Sequence, residues 1–116
     1  MKTASILNDI TYNETGNSPK VSLVMTSYLG KEIRIAFRKN QYIEEHFTPS
    51  PIVVEVYEGE IEFGAEGGVI TLSKGDMISL KGGIRHDLTA LEDSIVKLSL
   101  HKNDSYGHVR NVMKSD

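Results

Sequence analysis

The chain carries eight short β-forming segments, each closed by a turn signal: "VSLVMTSYL", "EIRIAFRK", "IVVEVY", "EIEFG", "GVITLS", "DMISLK", "HDLTAL" and "SIVKLSL". Several alternate with a period of two. Ile33, Ile35 and Phe37 oppose Glu32, Arg34 and Arg38, and Ile61 and Phe63 oppose Glu60 and Glu62. Within this stretch no window of helical length sustains an apolar stripe with a 3.6-residue period. Eight half-buried strands in so few residues must hide their edges by wrapping into a sandwich or barrel. The reading is therefore all-β and antiparallel, with a jelly roll as the economical solution.

Composition narrows the rest. The chain has 116 residues, enough for one domain with one core. Aromatics make up only 7% and Trp is absent, so the core must rest on Ile, Val, Leu and Met. A formal net charge of −3 offers no excess of cations to neutralise a phosphate backbone, which argues against nucleic acid as a partner. The absence of cysteine removes disulfides, thiolate ligands and thiol catalysis together. Asn8 and Asp9 interrupt any apolar core a signal peptide would need, and the longest bulky aliphatic run is Ile52 to Val54. The expectation is a cytoplasmic protein with no membrane partner.

Residues 1–20 read as an N-terminal arm packed on the outside, ending in the Asn-, Gly-, Ser- and Pro-rich loop "TYNETGNSPK". Residues 21–101 read as the barrel. Residues 102–116 read as a polar C-terminal tail, either a short docked helix or disordered. It is too short for a helix-turn-helix reader.

Two segments then stand out. "NQYIEEHFTPSPIVVEVYEG" resembles the first motif of the cupin family, which runs G, five residues, His-x-His, three or four residues, Glu, six residues, Gly. His46 and Gly59 match it, while Asn40, Thr48 and Ile52 stand where that motif has its first glycine, second histidine and glutamate. "GDMISLKGGIRHDLTA" resembles the second motif, G, five residues, P-x-G, two residues, His, three residues, Asn. Gly75, Gly83 and His86 match, with Lys81 in place of the proline and Ala90 in place of the asparagine. The resemblance implies a small single-domain, RmlC-like cupin, an antiparallel double-stranded β-helix or jelly-roll barrel. Its metal-binding motifs are degenerate.

Strand parity supports the same arrangement. Extended without a bulge from His46, the chain places His46, Thr48, Ile52, Val54 and Val56 on one inward face. On the later strand His86, Leu88 and Ala90 share a face, so His86 also looks inward. The resemblance implies that a full site would use three imidazoles and a carboxylate, of which His46 and His86 remain. The expected ligand pocket is thus His46, Thr48, Ile52 and His86, holding a small molecule without a cofactor. At most a divalent metal binds there weakly, on His46 and His86.

The alternative is a metal-dependent enzyme of oxygenase or isomerase type with His46 and His86 as ligands. A third reading is a metal-free isomerase or lyase with one histidine as general base; Glu44 shares the extended face of His46 and is placed to orient it, but Glu44 and Glu45 read first as solvated charges at the rim. His86 and Asp87 make a poor dyad, because adjacent strand residues face opposite sides. Lys81 is a loop cation near the barrel mouth. The resemblance also implies a homodimer, with Val24, Val53 and Ile95 as outward-facing aliphatics at the interface.

Overall fold

The structure, a computed structural model, describes residues 1–104. It contains nine antiparallel strands: β1 (Lys20–Thr26), β2 (Gly30–Phe37), β3 (Tyr42–His46), β4 (Ile52–Glu58), β5 (Glu60–Ala65), β6 (Gly68–Ser73), β7 (Met77–Leu80), β8 (His86–Ala90) and β9 (Ser94–His101). They form a five-stranded sheet, β1-β2-β9-β4-β7, facing a four-stranded sheet, β3-β8-β5-β6. The expected all-β jelly roll is what forms. Among the described residues there is no helix long and apolar enough to cross a membrane.

Eight of the nine strands coincide with the alternating segments. The ninth, β3, has the sequence "YIEEH", whose two consecutive glutamates break the alternation that marks a strand. The core lies between the sheets, where Ile33, Ile35 and Phe37 of β2 meet Ile61 and Phe63 of β5, all 2% exposed or less. Period-two burial along β4 and β8 follows from one face turned to that core.

Strand direction sets up two ends. One carries the turn after β1, the crossing segment 47–51, the β5–β6 hairpin and loop 81–85. At the other, β4 turns into β5 through Gly59, with φ of 87°. A Cβ there would strike the Ser94 hydroxyl and the Asp93 carbonyl, so the corner accepts only glycine.

The N-terminal arm docks along the outer face of β2. Arg34 donates to the carbonyls of Ile6, Asn8 and Asp9, and Arg38 bonds Glu14 with Tyr12 stacked on its guanidinium at 3.7 Å. Ala36, between those arginines, is 1% exposed, and Ile95, its partner on β9, is 2% exposed. This corrects the expectation that Ile95 faces outward to a partner. Its face is the outer one, but the residue is buried within the single chain. Val24 and Val53 are half-buried.

At the other terminus, Asp104 is buried, accepting from the Ser50 backbone N–H and, through its carbonyl, from Lys31. The expectation for the tail from residue 105 onward lies outside the described residues.

Candidate functional site

Parity places the right side chains inside, by a different route from a single extended strand. β3 ends at His46 in one sheet, and β4 begins at Ile52 in the other. The chain crosses between the sheets over 47–51, with Phe47 outward and Thr48 buried. Ile52 pairs with Leu80 and Leu100 in the wall facing the histidines.

His46 reaches the interior through a bulge. Ile43 pairs with Leu88, and an unbroken ladder would set Glu45 opposite His86. The register shifts instead, so that His46 stands directly across from His86. Both glutamates consequently turn to solvent. Glu45 forms an exposed ion pair with Arg85 at 3.0 Å. The contribution of Glu44 to His46 is its backbone carbonyl, 2.9 Å from Nδ1, and not its carboxylate. The Glu44–His46 general-base dyad is therefore not formed.

The imidazoles are close and buried. Their ring centroids are 4.4 Å apart, tilted by 55°, and Phe63 stacks on His86 at 5.7 Å and 6°. His46 is 9% exposed and His86 3%. His86 Nδ1 lies 2.9 Å from the Ile84 carbonyl. A carbonyl only accepts, so both Nδ1 atoms carry hydrogen and both Nε2 atoms bear a lone pair while the rings are neutral. Burial pushes the His86 pKa below its usual value, outweighing the Ile84 carbonyl and the charge on Asp87, which act the other way. Neutral His86 is thus the resting form near pH 7. Asp87 itself lies beside Gly64, on the outer face.

Two loops close this end of the barrel over the pair. Gly83 N–H donates to the Thr48 carbonyl at 2.8 Å, and Gly82 packs so tightly on the Pro49 carbonyl that a Cβ would overlap it. Thr48 donates its hydroxyl to Ser50 O at 3.2 Å. Lys81 is exposed on the same loop as Gly83. A cleft of about 340 Å³ lies elsewhere, on the outer face of the five-stranded sheet among Leu29, Glu32, Val53, Lys97 and Ser99.

Among the described residues the donor set does not fit a metal centre. Even an open catalytic zinc uses three protein ligands, and here Thr48 is committed to Ser50 while Ile52 has no donor. Among the described residues, no three His, Cys, Asp or Glu side chains converge where a metal ion would bind.

Solved structures share this architecture. An RmlC-like cupin from Desulfovibrio desulfuricans matches with a TM-score of 0.77 at 23% identity, over 88% of this chain and 97% of that one. The chain has the cupin fold. An RmlC-like cupin from Shewanella frigidimarina matches at 0.73 and 18% identity, over 88% and 92% of the two chains. KdgF from Halomonas sp. matches at 0.70 and 20%, over 84% and 92%. No family model matches the sequence, and no curated protein matches it. In cupin terms, the two histidines that survive from the sequence motifs are cross-strand neighbours, and the bulge that aligns them is the feature sequence reasoning missed. Its only written signal is the Glu44–Glu45 interruption.

Proposed function

We propose that this cupin is a cytoplasmic small-molecule-binding protein whose ligand is a neutral compound offering hydroxyl or N–H donors to His46 and His86. One observation carries the reading. The Nδ1 hydrogen of His86 is spent on the Ile84 carbonyl, so its neutral ring offers Nε2 as an acceptor beside His46. A ligand with a donor satisfies that atom, whereas an anion would face a lone pair and burial unfavourable to the imidazolium. Apolar walls from Ile52, Phe63 and Leu88 supply the remaining contact. Entry requires the loops 47–51 and 81–85 to part at the Gly83–Thr48 bond. The cysteine-free composition suits a reducing compartment.

A second reading, metal-dependent catalysis on His46 and His86, is favoured by one feature. Metal-bound imidazoles are commonly held through the other ring nitrogen, as both are here. With two donors it requires the substrate or water to complete the coordination.

Thermal-shift screening of neutral polyols and sugars beside matched carboxylic acids, followed by ¹⁵N NMR of the imidazoles, tests the first reading. Hits among the neutral donors should move the Nε2 resonances and vanish in His86→Phe. If only the acids bind, or if binding survives that substitution, the site assignment fails.

A further inference from the structure

The arm leaves part of the outer face of the five-stranded sheet open. A cleft of about 340 Å³ lies there, within the range of small-molecule sites, roughly 300–1,000 Å³. Strand register builds its floor. Glu32, Ser99, Val53 and Ser79 stand opposite one another across β2, β9, β4 and β7, and all four line the cleft. The next outward row is Arg34, Lys97, Glu55 and Met77, from which Lys97 also lines it. Leu29 and Pro51 add apolar surface from the turn after β1 and the crossing segment.

The charges in these rows are largely withdrawn from water yet loosely joined. The side chains of Glu32 and Lys97 are each 23% exposed, and that of Glu55 is 25% exposed. Lys97 Nζ stands 3.7 Å from a carboxylate oxygen of Glu32 and 3.7 Å from one of Glu55, beyond hydrogen-bond length in both directions. Its other neighbour is the Tyr57 ring, 6.0 Å away. Glu32 accepts the Ser99 hydroxyl on Oε1, and among the described residues its Oε2 has no hydrogen bond. Arg34 is committed to the carbonyls of the arm. An ammonium with donors to spare and a carboxylate with a spare oxygen therefore line one cleft, where directed partners stabilise them most. Two cations and two carboxylates balance across the rows, so a ligand of either net charge meets repulsion as well as attraction. One that carries both signs does not.

We propose that this outer cleft is a second binding site, for an α-amino acid with an apolar side chain. The ligand's carboxylate accepts from Lys97, its ammonium donates to Glu32 Oε2, and its side chain rests on Val53, Leu29 and Pro51. The site lies on the opposite side of the sheet from the histidine pair and is independent of what the barrel binds.

NMR titration of the full chain with L-leucine, 3-methylbutylamine and 4-methylpentanoate tests this. The last two keep the apolar tail of leucine and lack its carboxylate or its ammonium. Leucine should bind at least about tenfold more tightly than either, because each analogue forfeits one charge-assisted contact. It should move the backbone amides of Glu32, Val53 and Ser99 and leave the imidazoles of His46 and His86 in place. Glu32→Gln and Lys97→Met should each weaken leucine at least about tenfold. The comparison of the three probes uses the wild type alone, so it decides the matter even if a variant fails to fold. Equal affinity for leucine and the amine, or for leucine and the acid, overturns the proposal. So do shifts confined to His46 and His86, which would put leucine in the barrel, and so does no movement at millimolar leucine.

Discussion

At the scale of single residues, His86 ties stability to pH. Its pKa in the folded chain is held below the ordinary value of 6.5 by burial, so on acidification the unfolded chain takes up a proton first. Its contribution is intact above about pH 6.5 and is lost as pH falls toward the folded-state pKa. Thermal unfolding of His86→Gln, neutral at every pH, should lack that decline between neutrality and mildly acidic buffer. An unchanged slope would mean the titration lies elsewhere. The same imidazole bears on metal. With His46 the only other imidazole at the site among the described residues, untagged protein purified without chelators should hold well under one metal ion per chain by elemental analysis. Chelator should shift Tm by no more than about 1 °C. One equivalent of metal lost in His86→Ala would instead promote the metal-dependent reading.

At the scale of elements, the start of the arm is held to the barrel by one buried side chain. Arg34 is 8% exposed and gives its guanidinium to three carbonyls of residues 6–9. Such charge-assisted bonds are stronger than neutral ones. Replacing Arg34 with Met keeps the bulk and removes the donors. The expected loss is about 3 kcal/mol in denaturant unfolding, with limited proteolysis cutting within residues 1–12 before the barrel opens. Protection of the arm in that variant would show that Arg38 with Glu14 and Tyr12, and Gln41 and Tyr42 with the carbonyls of Asn13, Gly16 and Asn17, suffice to hold it.

At the scale of the whole molecule, the barrel's terminal fastening lies slightly beyond its last strand. Asp104 ties the end of β9 to the crossing segment through Ser50 and to the start of β2 through Lys31. Truncation after Asp104 should leave Tm within a few degrees, because residues 105–116 are rich in polar side chains. Truncation after Lys102 should cost a further 1–2 kcal/mol, roughly, and lower Tm by about 5 °C or more. Equal melting of the two would show that those bonds contribute nothing. What was legible beforehand was the strand set and the inward faces, because period-two alternation is a local property of each segment. It extended to His86, which sits on a regular strand whose parity can be counted. It failed at three places that depend on distant chain. β3 was hidden because its bulge puts two outward glutamates in succession, and only the ladder with β8 turns His46 inward. Ile95 alternates as an outward residue, yet it is buried beside Ala36 on a face where a distant segment docks. The metal motif could be seen to lack two donors, but whether another carboxylate replaces them depends on which strands become neighbours. Sequence determines which face of a strand is apolar, since side-chain alternation follows from backbone geometry alone. Only the tertiary structure decides what each face meets, because register, bulges and docking are set by pairing energies between residues far apart in the chain.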